Sequence, residues 1–117
     1  MVVDDSGFAR RVHRRVLESA GHRVVEASTG LGALEAFSLE QPDLVLLDLS
    51  MEDLGGVDVL RRMREMRPDA RVIVISADVQ RTTEQMVMDS GALRFLGKPV
   101  SDETLQRAVA DALETTP

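Results

Sequence analysis

The sequence predicts an α/β protein built on an open, doubly wound parallel sheet, and three observations carry that prediction. Short apolar runs of strand length alternate with segments of helical periodicity five times along the chain. One run, Leu44-Val45-Leu46-Leu47, is apolar throughout, the pattern of a strand covered on both faces. Acids, a hydroxyl or the single lysine of the chain stand at or just beyond the ends of four strand-like segments.

Met1-Val2-Val3 is the stub of a buried first strand, and Asp4-Asp5-Ser6-Gly7 ends it. A helix follows with Phe8, Val12, Val16 and Ala20 expected on one apolar stripe, and Gly21 stops it. Residues 23–27 read as the second strand and 31–39 as the second helix, with Leu34 and Phe37 facing inward and Gln41-Pro42 closing it. Asp48 is the last residue of the third strand. Gly55-Gly56 precedes a helix over 57–66 that Pro68 ends, and the β-branched run at 71–76 is the fourth strand. A fourth helix covers 82–90, and Gly91-Ala92 leads into a short fifth strand at 93–96. Ser101 caps a last helix running to about residue 113, with Asp102 and Glu103 well placed in its first turn.

Parallel strands joined by helices need right-handed crossovers, and ligands of such sheets bind beyond the carboxyl ends of the strands. Asp4, Asp5, Asp48, Ser76 and Lys98 are therefore expected on one edge. At 117 residues the chain has the size of one domain, read as spanning 1–117. Its formal net charge of −6 disfavours a nucleic-acid binder, whose phosphate contacts need a basic face. Without cysteine there is no disulfide, thiolate metal site or thiol nucleophile. No apolar stretch approaches the roughly 20 residues of a membrane span, and no signal-peptide pattern opens the chain. The expectation is a soluble cytoplasmic protein.

Three ionised carboxylates within about 5 Å of one another repel by ~3 kcal/mol per pair at an effective dielectric of about 20. A hard divalent cation removes that penalty, and Mg2+, or Mn2+ in its place, suits an oxygen-only ligand set. Such a cation beside a carboxylate also favours the charge of a transferring phosphoryl group. Lys98, the only lysine beside thirteen arginines, is a point charge suited to one anionic oxygen. Ser76 offers a hydroxyl donor to another oxygen, which leaves Asp48 as the nucleophile that becomes an acyl phosphate.

Asp4-Asp5, Leu44-Val45-Leu46-Leu47-Asp48, Val74-Ile75-Ser76-Ala77 and Phe95-Leu96-Gly97-Lys98-Pro99 together resemble the response-regulator receiver domain, the phosphoacceptor of two-component signalling. The likeness covers essentially the whole chain. It implies a flavodoxin-like, CheY-like sheet in strand order 2-1-3-4-5, and a signalling domain that is no enzyme beyond catalysing its own phosphorylation and dephosphorylation. It implies that Asp48 takes phosphate from the phosphohistidine of a histidine kinase or histidine phosphotransfer protein, with magnesium held by Asp4, Asp5, Asp48 and the backbone carbonyl of Ser50. By the same resemblance Lys98, Ser76 and Ala77 bind the phosphate, Ser76 and Phe95 form the switch pair, and Ser50 and Asp78 tune the phosphate's lifetime. The Lys98-Pro99 peptide is expected to be cis. The output target is expected on the face of the fourth helix, fifth strand and fifth helix, with a homodimer forming on phosphorylation and no direct contact with nucleic acid or membrane.

The chain also departs from that pattern. Glu52 stands where the family usually has proline and Gly55 where it has an acid or amide, so the loop after Asp48 is expected to be less rigid and more negative near the metal. The first strand begins some four residues late, which reads as a trimmed or misassigned start, or else a shortened sheet edge. Two alternatives stand beside the phosphoacceptor: a pseudo-receiver that binds protein without phosphorylation, and a receiver from a longer DNA-binding regulator. A phosphatase of the haloacid-dehalogenase type is disfavoured by Ser50, where its second aspartate belongs, and a flavodoxin by acids after the first strand that repel phosphate.

Arg10-Arg11-Val12-His13-Arg14-Arg15 reads as a solvated face whose like-charge pairs Glu18 only partly relieves, or as a docking face for an acidic kinase or phosphotransfer helix. His13 and His22 are assigned to no site. Met86, Val87 and Met88 sweep about 200° of one helix, so at least one is expected on the surface, at a partner or dimer contact.

Overall fold

A computed structural model describes residues 1–51 and 53–115, and within them strands and helices alternate without exception. The elements are β1 (Val2–Val3), α1 (Gly7–Ser19), β2 (Glu26–Ala27), α2 (Gly30–Glu40), β3 (Val45–Asp48), α3 (Gly56–Met66), β4 (Val72–Ser76), α4 (Arg81–Asp89), β5 (Arg94–Gly97) and α5 (Asp102–Glu114). All strand pairs are parallel, in the expected order β2-β1-β3-β4-β5.

Because side chains alternate across a strand, each apolar run divides between two layers. Val3, Val45, Leu47, Val72 and Val74 meet Ala33 and Phe37 of α2, Val59, Leu60 and Met63 of α3, and Val87 of α4. Val2, Leu46, Ile73 and Ile75 meet Val16 and Leu17 of α1 and Leu105, Ala108, Val109 and Ala112 of α5. Burying each large side chain contributes ~1.5–3 kcal/mol, which is why a central strand apolar on both faces is held so firmly. Helix starts are satisfied locally: the hydroxyls of Ser6, Thr29 and Ser101 accept from the amides of Ala9, Gly32 and Thr104. No helix among the described residues is long and apolar enough to cross a membrane.

Four expectations need correcting. The stripe on α1 is not Phe8, Val12, Val16 and Ala20: Phe8 is 71% exposed, Ala20 is exposed, and the buried pair is Val16 and Leu17. The second strand is two residues long rather than five, because its only partner, β1, offers two positions for pairing. The fifth strand is shifted one residue onward, to Arg94–Gly97, by its register with Ile73–Ser76. The last helix, expected to end at about residue 113, runs to Glu114, and the Thr115 carbonyl beyond it accepts from Arg71 Nε at 3.0 Å. The readings made for Glu52, Thr116 and Pro117 lie outside the described residues. Of the three apolar neighbours on α4, Val87 is buried while Met86 and Met88 are exposed, as the helical sweep requires.

The joint between β3 and α3 is tight. A Cβ on Gly56 would lie 2.6 Å from the Leu49 Cα and 3.2 Å from the Asp48 carbonyl oxygen, so the amino end of α3 presses directly on the residues that carry Asp48. A Cβ on Gly55 would meet only an Asp58 carboxylate oxygen at 3.9 Å. Gly56→Ala is therefore expected to destabilise the protein by ~1–3 kcal/mol, as overpacking against backbone does, with Gly55→Ala within about 0.5 kcal/mol of the parent. Denaturant unfolding of both variants checks this, and equal stabilities would contradict the packing.

Candidate functional site

Register brings the site together. Val3 pairs with Leu47, so Asp4 and Asp48 are the next residues on adjacent parallel strands; Ser76 pairs with Gly97, so Lys98 follows directly beside the end of β4. Asp4 and Asp48 are buried, at 2% and 3% exposure, while Asp5 is exposed. Asp4, Asp5 and Asp48 each present a carboxylate oxygen within 4.8 Å of the others. The Lys98 ammonium lies 2.8 Å from Asp48 Oδ2 and 3.7 Å from Asp4 Oδ2. The remaining oxygens take backbone amides: Ser6 N–H donates to Asp4 Oδ1 at 2.9 Å, and Ser50 N–H donates to Asp48 Oδ1 at 3.0 Å.

Charge is unevenly shared across this cluster. Burial pushes the Asp4 carboxyl up; the Ser6 amide opposes this and the Asp48 charge adds to it, leaving Asp4 above the ordinary 3.8. Burial pushes Asp48 up as well, but the Lys98 hydrogen bond and charge together with the Ser50 amide outweigh it, and Asp48 sits below 3.8. Burial works against the charged form of Lys98, and its two carboxylate partners more than restore it. The result is one firmly ionised carboxylate, Asp48, beside a carboxyl that resists ionisation. Three acids with one ammonium leave a surplus of negative charge on oxygen donors, which fits a hard dication.

Ser76 is buried at the end of β4, and its Oγ accepts from the Asp78 amide at 3.0 Å, so its own O–H remains free to donate. Phe95 is half-buried and packs into the same layer as Val74 and Val87, so Ser76 and Phe95 share the α4 side of the sheet. Ala77 and Ser50 are exposed on the edge. The carboxylate of Asp78 is turned to the start of α4, accepting from Gln80 N at 3.1 Å and Thr83 Oγ1 at 2.7 Å. The Lys98-Pro99 peptide is cis.

Several residues escaped the sequence reading. In the arginine run Arg11 and Arg15 are exposed, as a solvated face requires, while Arg10 and Arg14 are half-buried. Arg10 and Arg14 are both paired with Glu26 of β2, at 3.1 and 2.6 Å, and Arg10 Nη1 also donates to the Asp4 carbonyl at 2.7 Å. His13 was assigned to no site; it is half-buried, and burial followed by the Lys98 charge holds it below its usual 6.5. The loop after Asp48 carries a tether: Asp53 accepts from the amides of Gly30 and Leu31 at 2.8 and 2.9 Å, tying that loop to the start of α2. The contacts of Glu26 span twelve and sixteen residues and those of Asp53 more than twenty, with no local signal for either.

Comparison with known proteins places this geometry. The family model described as response regulator receiver domain matches residues 1–110. KdpE, a transcriptional regulatory protein of Mycobacterium tuberculosis, is 38% identical over 99% of this chain, which spans about half, 51%, of that protein's length. The chemotaxis protein CheY of Thermotoga maritima is 30% identical, across 93% of this chain and 92% of its own. Among solved structures, the CheX-CheY-BeF3-Mg2+ complex of Borrelia burgdorferi matches with a TM-score of 0.90 at 28% identity, covering 94% of this chain and 84% of that one.

The raised pKa of Asp4 has a sign that can be tested. The folded protein retains a proton that the unfolded chain releases, so this group's contribution is fully present below 3.8 and is lost as pH rises through the raised value. At neutral pH without metal, Asp4→Asn keeps an acceptor for Ser6 N–H and removes the opposed charge. It is expected to raise the melting temperature by about 4 °C, the shift that ~1 kcal/mol produces in a domain near this size. Calorimetry in chelator-treated buffer checks it, and an unchanged or lower melting temperature would count against the charge balance.

Proposed function

The chain belongs to the response regulator receiver domain family of two-component signalling, and from that premise we propose that Asp48 is its phosphoacceptor, served by a divalent cation that Asp4, Asp5 and Asp48 hold. One observation carries the reading: the Lys98 ammonium is 2.8 Å from Asp48 at an edge where three carboxylates converge within 4.8 Å. The ligand set proposed for Mg2+ or Mn2+ is those three carboxylates with the Ser50 carbonyl. When bound, the cation supplies positive charge to the phosphoryl oxygens during transfer.

The chain's own groups do the rest. Lys98 keeps Asp48 ionised and fixes its direction, so a carboxylate oxygen attacks the phosphorus of a phosphohistidine in line. The new O–P bond forms as the P–N bond breaks, and its electron pair leaves with the imidazole. Lys98, the free hydroxyl hydrogen of Ser76 and the Ala77 amide are the proposed donors to the phosphoryl oxygens. The alternating layers support Ser76 and Phe95 as the switch: both lie on the α4 side, so movement of the hydroxyl toward phosphate frees space that the ring can enter. Ser50 and Asp78 are proposed to tune the lifetime of the acyl phosphate; Asp78 does so from a carboxylate anchored by Thr83 and Gln80.

The proposed donor is a histidine kinase or histidine phosphotransfer protein. Phe8, Arg11 and Arg15 are exposed on α1 beside the site, and neither arginine forms an ion pair among the described residues, which supports docking of an acidic helix. The proposed output surface is the α4-β5-α5 face, where exposed Met86 and Met88 would serve a target or a homodimer. The reading treats 1–117 as one receiver domain acting in the cytoplasm, where ATP-dependent kinases work, with no direct contact to nucleic acid or membrane. The domain catalyses only its own phosphorylation and dephosphorylation.

Incubation with acetyl phosphate and Mg2+ tests the acceptor. Mass spectrometry is expected to find one added phosphoryl group on the protein and none on Asp48→Ala; no gain on the parent chain would point to a bare binding module. Millimolar Mg2+ is expected to raise the melting temperature by mass action, and Asp5→Asn to abolish most of that rise. A rise of equal size in Asp5→Asn would place the cation elsewhere.

A further inference from the structure

Arg10 is costly where it stands. It sits near the amino end of α1, whose first turn contains no acid, so the helix dipole and the like charge of Arg14 one turn on both disfavour a cation there. What holds it is tertiary. Its Nε donates to Glu26 Oε1 at 3.1 Å, its Nη1 donates to the Asp4 carbonyl at 2.7 Å, and both side chains of the ion pair are largely covered, at 21% and 24% exposure. The Asp4 carbonyl lies one residue past the last ladder pair of two-residue β1, in a position that is 2% exposed. A buried carbonyl beyond its ladder needs a partner from elsewhere, and the guanidinium is that partner. One planar fork thus joins α1, β2 and the loop carrying Asp4 and Asp5.

We propose that Arg10, held by Glu26, is a positioning residue of the acidic edge: it pins the Asp4 carbonyl and so fixes the direction in which Asp4 and Asp5 present their carboxylates to a divalent cation. This rests on the cation site put forward above. Beyond Val3 the sheet holds the chain by one bond, from the Asp4 amide to the Ala27 carbonyl at 3.1 Å, and the brace adds a second constraint at the Asp4 carbonyl. Groups hydrogen-bonded behind metal ligands commonly alter metal affinity tenfold or more.

Charge alone predicts the opposite sign. Arg10 is a cation beside a dication site, so removing it should tighten binding if only its field matters. The brace predicts weaker binding. Calorimetric titration of Mg2+ into the full chain, Arg10→Ala, Glu26→Ala and Arg23→Ala distinguishes the two. Arg23→Ala removes a more exposed arginine–glutamate pair, with Glu40, grouped with Met1 and Leu44 at the amino ends of the strands. The expected result is about tenfold weaker binding in Arg10→Ala and in Glu26→Ala and parent affinity in Arg23→Ala, with labelling by acetyl phosphate recovering in both weakened variants at saturating Mg2+. Unchanged or tighter Mg2+ binding in Arg10→Ala overturns the brace while leaving the metal site standing. If that variant fails to fold, unchanged affinity in Glu26→Ala overturns it equally. A parent protein that melts normally but gives no Mg2+ isotherm overturns the metal reading itself, and the brace with it.

Discussion

Like charge gathered at one sheet edge is the constraint around which this protein is organised. Parallel register makes Asp4 and Asp48 neighbours, and nothing in the fold can move them apart without breaking the pairing of Val3 with Leu47. The two carboxyls are buried, so water does little to screen them, and a single ammonium, Lys98, is left to offset both. That shortage is what makes the edge receptive. An extra arginine in the pocket would cancel the surplus of negative charge and with it the fit to a dication.

The loops around this edge are held by side chains reaching for backbone. Arg10 takes the Asp4 carbonyl, Asp53 takes two amides at the start of α2, Asp78 takes an amide and a hydroxyl at the start of α4, and the carboxylates themselves take the amides of Ser6 and Ser50. Each contact ties a mobile class of structure to a rigid one. At the end of β4, Ser76 Oγ accepts from the Asp78 amide, and the Asp78 carboxylate in turn accepts from Gln80 N and Thr83 Oγ1 at the start of α4.

Most of the fold was legible because apolar runs of two periods alternate and each run divides cleanly between two layers. Asp48 and Lys98 were legible from the strand ends they occupy, fifty residues apart in the chain yet adjacent once five strands align. Phe8 was misread because helical periodicity reports which residues share a stripe and not whether the sheet extends beneath it. The arginine run was misread for a related reason: the partner of Arg10 and Arg14 is Glu26, a residue in another element, and spacing rules see only pairs on one helix. The length of β2 followed from its neighbour, β1, rather than from Val24 and Val25 just before it, which favour a longer strand.

The most direct test of the charge balance is a carbon-13 NMR titration of the aspartate carboxyls in metal-free protein. The account predicts that Asp4 titrates above 3.8 and Asp48 below it, and that substituting Lys98 by methionine lifts the Asp48 midpoint. Two carboxyls titrating together at the ordinary value, indifferent to the loss of Lys98, would contradict it.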